Sequence, residues 1–469
     1  MTRSQRLTRI ALVIVIGVII WFLPHAAAIK PAAWHLLAIF IATIIGFMLH
    51  PIPVGGVAFI GLTVTAATGT LKIGDILSGL SSGTAWLIAG AFFFSRSFQK
   101  TGLGRRISFV IIKLFGSSSL SLMYSLLISD VIIAPVTPSN TARSGGMFFP
   151  IVRSLSSSFG SEPGPTAKKV GRFLISGMFH GDNIISGLFM TAMAGNPLMV
   201  GMIAKASGAE ITWGSWLLGA SVPVLLALII IPLFLYWLEN PEIKKTPEAK
   251  VAAEKELTSM GPMKTSEKWL LAIFILALVL WATTQWTKIN ATTVALISIS
   301  LMLVTEVLDW NDVIGEKNAW DVLIWMGGIM CLAGFLSKLG LVPYVAKQVA
   351  LSLGGLSWQV ALAFILAFYV LIHYFFASIV AQIAAMFAAF YSVTVVLGAP
   401  PLLSAFLMLF ANTSMQSLTH YSVGGAPIFF GAGYMSQGEW WRNGFLVTVL
   451  DNVVMLSAGL VWLKVLGYY

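Results

Sequence analysis

Residues 137–146 read Thr-Pro-Ser-Asn-Thr-Ala-Arg-Ser-Gly-Gly and lie between two apolar segments, 120–135 and 147–159. Each segment is shorter than the roughly 20 residues that a complete membrane span requires. A polar tip between two short apolar arms predicts a re-entrant helical hairpin, whose backbone can leave helical geometry at membrane depth only where protein or water covers it. The tip also contains Arg143, and an ionisable side chain at that depth indicates a functional site.

The composition of the chain is typical of an all-α polytopic membrane protein. Of its 469 residues, 58% are hydrophobic and 10% are charged, whereas soluble domains have about 25% charged residues. The net charge of +10 favours positively charged cytoplasmic loops over nucleic-acid binding. The sequence contains no P-loop, no metal-binding His/Cys spacing and no nucleophile elbow. We therefore expect neither a cofactor nor a metal site, and we expect a protein that is not an enzyme.

The apolar segments predict about 11 transmembrane helices in two inverted repeats. They divide the chain into four parts: an N-terminal transmembrane helix at 1–30, a first repeat at 31–238, a cytoplasmic linker at 239–267 and a second repeat at 268–469. Each repeat is expected to contain a re-entrant hairpin, at 118–158 and 357–398, and an interrupted helix, at 170–202 and 401–434. The chain has no transit-peptide composition, which favours the bacterial inner membrane.

The two halves of the chain share landmarks at similar separations. The three pairs are Gly104 with Gly340, Ser139 with Ser378 and Pro197 with Pro427, and the two members of each pair are nearly equally far apart along the chain. An odd number of spans between the repeats makes them inverted, and Lys and Arg then lie mainly on cytoplasmic segments, as the positive-inside rule requires. Matching broken segments in two inverted halves indicate a transporter whose substrate site lies between the repeats.

Few charged side chains lie inside the predicted spans, and the acids there are Asp130, Asp182 and Asp451. Asp182 is expected to be a counter-ion of an arginine rather than a proton relay. Arg143 either binds a substrate carboxylate in bidentate fashion or holds the tip to a carbonyl or an aspartate, and we favour the first role. His420, beside the second break, is either a satisfied polar core group or a substrate contact.

The tip sequence Ser-Asn-Thr at 139–141, followed by Asn-Pro at 196–197, resembles the divalent-anion:sodium symporter family. The resemblance covers nearly the whole chain. Longer strings at 139–146, 373–378 and 418–434 are similar to the branch that holds the 2-oxoglutarate/malate translocators and the bacterial citrate, tartrate and succinate antiporters. The resemblance implies a homodimer in which a mobile transport domain moves against a scaffold by an elevator motion. It also implies that the two tips and the two breaks enclose the substrate.

The second tip departs from the sodium-coupled members of that family, which carry Ser-Asn-Thr at both tips. Residues 377–382 read Ala-Ser-Ile-Val-Ala-Gln, so this tip offers fewer oxygen ligands to sodium. Arg143 and His420 supply positive charge where a sodium ion would otherwise help to hold an anion. We therefore predict a sodium-independent exchanger of di- or tricarboxylates such as malate, succinate, 2-oxoglutarate or citrate. The alternatives are a sodium-coupled dicarboxylate symporter and, in another class, a passive anion channel.

The expected substrate-binding residues lie on the two tips and the two breaks. They are Ser139, Asn140, Thr141, Arg143, Asn196, Ser378, Thr419, His420 and Pro427. Helix N-termini at the same places add partial positive charge that favours an anion. The expected partners are small carboxylate anions, the lipid bilayer and a second copy of the chain, with no nucleic acid.

Overall fold

The structure, a computed structural model, describes residues 2–352 and 355–469, and helices make up most of both ranges. In the first half the α-helices are Arg3–Phe22, Pro31–Leu49, Val54–Ala67, Ile73–Leu77, Gly83–Thr101, Leu103–Phe115, Ser119–Ile133, Phe149–Ser158, Gly171–Ile185, Gly195–Ser207 and Trp213–Glu239. In the linker and the second half they are Pro247–Met260, Thr265–Ala282, Thr284–Thr287, Ala291–Val304, Trp310–Gly315, Lys317–Lys338, Leu341–Ser352, Trp358–Leu371, Ile379–Gln382, Ala388–Val396, Pro401–Ser414, Ala426–Gly431 and Gln437–Val465.

Nine helices within the described ranges are long and apolar enough to cross a membrane, or ten if the bent pair Ile73–Ser81 and Gly83–Thr101 forms one span. Three of the nine are hairpin arms, Ser119–Val136, Trp358–Phe375 and Ile379–Val396. The apolar helices Val54–Ala67 and Ala291–Val304 are too short to pass that test, and so are the pieces of the two broken helices. The all-α polytopic fold is confirmed. The number differs from the 11 predicted spans because a count by helix length and composition includes single arms of the hairpins and omits the short pieces of the broken helices.

Both hairpins have the same succession of local structures, in which an α-helix is followed by a 3-10 turn, an extended tip and a second arm that contains a π-helical turn. The 3-10 turns are Ala134–Val136 and Ile372–Phe375, and the π-helical turns are Thr141–Phe148 and Ile383–Phe387. Residues 137–141 are named tip 1 and residues 376–380 tip 2. The backbone is extended at Thr137 and at Phe376, with φ of −126° and −114°.

Two helices are interrupted at membrane depth. One ends at Ile185 and restarts at Gly195, and the other ends at Ser414, makes a 3-10 turn and restarts at Ala426. Residues 186–194 are named break 1 and residues 415–425 break 2. Where the helical hydrogen bonds are lost, side chains bond to the freed backbone groups, because the lipid contains no water that could do so. In break 2, for example, the Ser422 hydroxyl group donates to the carbonyl oxygen of Gln416 (2.5 Å).

The linker between the repeats forms the helix Pro247–Met260, which packs along the helix Leu103–Phe115. Two exposed ion pairs join the helices, Arg105–Glu256 (2.6 Å) and Lys113–Glu254 (2.8 Å). Ala249 and Ala253 are buried in the contact. Their small side chains let the two helices approach each other closely. Only the outer face of this linker helix is therefore exposed to solvent.

Candidate functional site

Each hairpin is bonded to the break of its own repeat through one hydroxyl group. The hydroxyl group of Thr191 in break 1 donates to the carbonyl oxygen of Pro135 (2.5 Å), and that of Tyr421 in break 2 donates to the carbonyl oxygen of Tyr374 (2.9 Å). Pro135 and Tyr374 are as far apart along the chain as the landmarks Ser139 and Ser378, and Thr191 and Tyr421 are as far apart as Pro197 and Pro427. The same bond therefore occurs once in each repeat.

Each break also packs against the hairpin of the other repeat at a glycine. A Cβ atom on Gly195 would lie 2.5 Å from Cδ1 of Ile383, and one on Gly425 would lie 3.0 Å from Oγ of Ser144. The two glycines occupy corresponding positions of the two repeats, Gly195 directly after break 1 and Gly425 at the end of break 2. Ser144 and Ile383 likewise occupy corresponding positions of the two hairpins. A third glycine, Gly424, would place its Cβ 2.4 Å from Oγ1 of Thr141. Glycine is needed here because the hairpin of one repeat touches the backbone of the other.

Gln416 joins tip 1 to both breaks. Its amide oxygen accepts from Nδ2 of Asn140 (2.9 Å), and its amide nitrogen donates to Oγ of Ser186 (2.9 Å). Its carbonyl oxygen accepts from the Ser422 hydroxyl group. The Gln416 side chain is fully buried, so these hydrogen bonds satisfy groups that would otherwise be costly to bury. Gln416 is not among the residues expected from the sequence, although a glutamine at the end of an apolar helix is a detectable signal.

At tip 1 the polar side chains begin the π-helical turn. The Ser139 hydroxyl oxygen accepts from the backbone N–H of Ala142 (3.1 Å), and the Asn140 amide oxygen accepts from the N–H of Thr141 (3.0 Å). Such capping satisfies N–H groups that have no partner within the helix. Ser139 and Thr141 are half-buried and Asn140 is buried. Tip 1 is therefore a preorganised polar surface, and its Asn140 also anchors it to Gln416.

Tip 2 is less polar. The Ser378 hydroxyl oxygen accepts from the N–H of Ala381 (3.3 Å), which repeats the role of Ser139. The positions that correspond to Asn140 and Thr141, counted from the pair Ser139 and Ser378, are Ile379 and Val380. Gln382 donates to the carbonyl oxygen of Tyr369 (2.8 Å) and its amide oxygen lies 2.6 Å from Nδ1 of His373. The Gln382 amide thus makes its hydrogen bonds to residues of the second hairpin itself.

Arg143 lies in a buried ionic cluster behind tip 1. Its Nε atom is 2.5 Å from Oδ1 of Asp130 and its Nη2 atom is 2.8 Å from Oδ1 of Asp182. Its Nη1 atom donates to the carbonyl oxygens of Thr137 (3.0 Å) and Ala192 (2.9 Å). The side chains of Arg143 and Asp130 have no exposed surface. The guanidinium group is thus bonded to tip 1, to break 1 and to two aspartates at once.

This geometry favours the structural alternative for Arg143. We expected bidentate binding of a substrate carboxylate, but every nitrogen of the guanidinium group already faces an aspartate or a carbonyl oxygen in this conformation. Asp182 is the counter-ion that the sequence suggested. Because two carboxylates surround one guanidinium group, Arg143 also leaves no uncompensated positive charge for an anion.

His420 does not carry positive charge in this arrangement. The indole N–H of Trp441 donates to Nδ1 of His420 (2.9 Å), so Nδ1 is an acceptor and the ring proton is on Nε2. The ring is half-buried and packs near Tyr421 and Phe430. A neutral His420 can donate one hydrogen bond from Nε2, but the charge that we expected of it is absent while Trp441 occupies Nδ1.

The other three expected residues have different surroundings. Nδ2 of Asn196 donates to the carbonyl oxygens of Ser186 (2.7 Å) and Phe189 (3.1 Å), so its nitrogen closes break 1. Thr419 is fully buried in break 2. Pro427 is exposed in the first turn of the helix Ala426–Gly431, where a proline is compatible with helical geometry. Asn196 and Pro427 therefore shape the breaks, whichever groups contact the substrate.

A family model described as "Sodium:sulfate symporter transmembrane region" matches residues 4–469 of this chain. A Bacillus subtilis protein named putative malate transporter YflS is 48% identical over 467 residues, which are 99% of this chain and 98% of that protein. The spinach protein named dicarboxylate transporter 1, chloroplastic, is 42% identical over 459 residues, which are 97% of this chain and 81% of that protein.

The Escherichia coli inner membrane protein YbhI is 37% identical over 471 residues, which are 99% of this chain and 98% of that protein. Among solved structures, the Alcanivorax borkumensis YdaH transporter superposes with a TM-score of 0.58 over 98% of this chain and 97% of that one. Its sequence identity is 13%, so this likeness concerns the fold alone.

Proposed function

We propose that this chain, which belongs to the sodium:sulfate symporter family of divalent-anion transporters, exchanges di- or tricarboxylate anions across the membrane without coupling to sodium. Relatives named malate and dicarboxylate transporters support the substrate class. Malate, succinate, 2-oxoglutarate and citrate are the first substrates to test. The chain is a multi-span membrane protein, and the relative named inner membrane protein YbhI supports placing it in a bacterial inner membrane.

One observation carries the proposal of sodium independence. Where tip 1 has Asn140 and Thr141, tip 2 has Ile379 and Val380, and the remaining amide of that hairpin, Gln382, is hydrogen-bonded within it. Sodium is a hard cation that is held by several oxygen ligands, as hard cations generally are. Tip 2 therefore has few oxygens to offer, and a sodium ion bound there would be poorly coordinated.

The proposed anion site lies between the tips and the breaks. Ser139, Asn140 and Thr141 provide hydroxyl and amide donors on one side, with Ser378 and Thr419 on the other. His420 adds a neutral N–H donor from Nε2. Helical segments that begin at both tips and both breaks direct partial positive charge towards the gap. In this proposal Arg143 positions tip 1 through the carbonyl oxygen of Thr137 and does not touch the substrate.

Exchange rather than net transport follows from the same electrostatics. In this proposal the positive ends of four helical segments face the anion site, and without an anion they are left uncompensated when the site crosses a low-dielectric barrier. A bound dicarboxylate offsets them. We propose that the tips and breaks belong to a transport domain that moves by an elevator motion against a scaffold, within a homodimer. The loaded domain then crosses readily and the empty one does not.

The test is counterflow in proteoliposomes. Vesicles loaded with unlabelled malate should take up labelled malate at equal initial rates in sodium and in choline buffers, and unloaded vesicles should take up almost none. A channel would fill unloaded vesicles as well. The variant Tyr374→Phe should exchange malate at the unaltered rate. Its side chain is not placed in the site, and the substitution keeps the carbonyl oxygen that accepts from Tyr421.

A sodium-coupled symporter is the second candidate, because tip 1 keeps the Ser-Asn-Thr sequence and the family model carries sodium in its description. Under that alternative, uptake into unloaded vesicles would rise steeply with external sodium. The same vesicles therefore separate exchange, symport and passive flow in one experiment.

A further inference from the structure

We propose that Asp130, Asp182 and Arg143 form a binding site for one exchangeable proton, whose occupancy is linked to anion binding at tip 1. The link to the anion rests on the proposed transport function, whereas proton binding itself does not.

The cluster has one more carboxylate than it has cations. Arg143 is 2.5 Å from Asp130 and 2.8 Å from Asp182, and none of the three side chains is more than 2% exposed. With both carboxylates ionised, a negative charge would be left over in a place that water does not reach, which is strongly unfavourable. Two carboxylates in one site resolve the conflict by sharing a proton. The proton comes from solution and forms an O–H bond on one aspartate, whose carboxyl group then faces the ionised carboxylate of the other.

Within residues 2–352 and 355–469, no further cation compensates the cluster. The helix Gly171–Ile185 also contains His180, whose ring packs against Phe179 and Trp440, and Arg172, which is paired with Glu239 and Glu439. On the neighbouring helix Phe149–Ser158, Arg153 is paired with Glu162. The helix Trp213–Glu239 has no charged side chain before its last residue. The helix Leu103–Phe115 directs its basic side chains to acidic partners of the linker region, and these are Arg105, Arg106 and Lys113.

The second repeat provides an internal comparison. Counted from the pairs Ser139 with Ser378 and Pro197 with Pro427, the cluster positions Asp130, Arg143 and Asp182 correspond to Tyr369, Gln382 and Asn412. The corresponding positions are therefore all uncharged, although Gln382 still bonds the backbone of residue 369 (2.8 Å). A hairpin of this shape can be held together without ions. The charges in the first repeat thus have a role beyond holding the hairpin together. Binding an exchangeable proton is a role that a pair of aspartates can perform.

The link to the anion runs through Arg143. Its Nη1 atom holds the carbonyl oxygens of Thr137 in tip 1 and Ala192 in break 1, and its backbone N–H donates to the carbonyl oxygen of Ser139 (2.9 Å). Protonation removes one negative charge close to an anion site, so the anion binds more tightly in the protonated state. By reciprocity, anion binding favours uptake of the proton.

The first experiment measures anion affinity against pH in lipid vesicles, with a dicarboxylate that stays fully ionised above about pH 6. In the unmodified protein the affinity should fall about tenfold towards alkaline pH. Asp130→Asn and Asp182→Asn should each abolish this dependence and retain the higher, acid-side affinity, because the one aspartate that remains balances the charge of the guanidinium group. Asp451→Asn is the control, since Asp451 is a buried acid outside the cluster, and it should keep the pH dependence.

The second experiment detects the proton without any anion. Infrared spectra of the Asp451→Asn protein in lipid, with isotopically labelled aspartate, should contain a protonated-carboxyl band that titrates with pH and disappears when Asp130→Asn is added. If the band is absent from the folded protein, or if both single variants keep the pH dependence of affinity, the proposal is overturned. A titrating band in a protein that binds no carboxylate would instead overturn the proposed transport function and leave the proton site standing. If an aspartate variant does not fold, the labelled Asp451→Asn protein alone decides the question.

Discussion

The amide nitrogen of Gln416 donates a hydrogen bond to the hydroxyl oxygen of Ser186 (2.9 Å), and these two residues occupy corresponding positions of the two repeats. Two corresponding residues can touch only near the axis that relates the repeats. The axis of pseudo-symmetry therefore passes close to this bond. Because Gln416 also accepts from Asn140, the first tip is attached to the centre of the molecule.

Replacing Gln416 with leucine should lower the stability of the protein and the rate of exchange together. The substitution leaves the buried Asn140 amide without its acceptor, and an unsatisfied buried polar group costs about 1–3 kcal/mol. The thermal midpoint in detergent should fall, and Gln348→Leu, at an exposed glutamine, should leave it unchanged. A folded Gln416→Leu protein with unaltered exchange would mean that Gln416 does not hold the tip in place.

Arg143→Gln should be strongly destabilising, by about 3–5 kcal/mol, because it leaves two buried carboxylates without their cation. The triple variant Asp130→Asn, Arg143→Gln, Asp182→Asn makes the cluster uncharged, as the corresponding positions of the second repeat are. We expect it to regain most of the lost stability, which thermal unfolding in detergent would measure. If the triple variant is as unstable as Arg143→Gln alone, the ion pairs themselves are needed for folding.

Gly444→Ala should separate the last helix from break 2. A Cβ atom there would lie 2.2 Å from the carbonyl oxygen of Ser417, which is backbone and cannot rotate away. We expect a loss of about 1–3 kcal/mol, although alanine is the better helix former. Gly459→Ala is the matched control in the same helix, since its new methyl group meets the ring of Phe410 at 2.6 Å and a ring can shift. Equal unfolding temperatures for the two variants would contradict this distinction.

Asp312 makes stability depend on pH at one edge of the fold. Burial alone raises the pKa of Asp312, but hydrogen bonds and charge from Lys100, the N–H of Asp309 and Arg96 outweigh it, and the pKa falls below its usual range. A lowered pKa stabilises the folded protein above the unfolded-state value and loses that effect as pH falls through the folded-state value. Asp312→Asn should therefore lower the unfolding temperature at neutral pH. The difference between the two proteins should begin to shrink below about pH 4 and disappear only below the lowered folded-state pKa; a constant difference would assign it to lost packing.

Cysteines at corresponding tip positions test the inverted arrangement. With Cys331, the single cysteine of the chain, replaced by alanine, we expect Ser139→Cys to react with a membrane-impermeant thiol reagent from the cytoplasmic side and Ser378→Cys from the outer side. Both serines are half-buried, and substrate should protect both. Labelling of Ser139→Cys from the outer side alone, unchanged by substrate, would contradict the predicted topology.

The positions of the hairpins and breaks could be predicted because they depend on local features, namely the length of apolar runs and the polar residues between them. The partners of Arg143 could not. Asp130 lies on the opposite arm of the hairpin and Asp182 on the helix Gly171–Ile185, and only the folded hairpin decides which carboxylate an arginine reaches. The neutral state of His420 had the same cause, since its Trp441 donor comes from the next long helix.

The ionic cluster at Arg143 also makes the two halves of the molecule energetically unlike. In a carrier built from inverted repeats, interchanging the conformations of the halves converts one access state into the other. Identical halves would give the two states equal free energies. A charged cluster in one half and uncharged residues in the other remove that degeneracy, so the empty carrier has a preferred resting side. A bias of about 1.4 kcal/mol would leave it facing that side roughly ten times as often, and the half-saturating substrate concentrations measured from the two sides of the membrane would then differ.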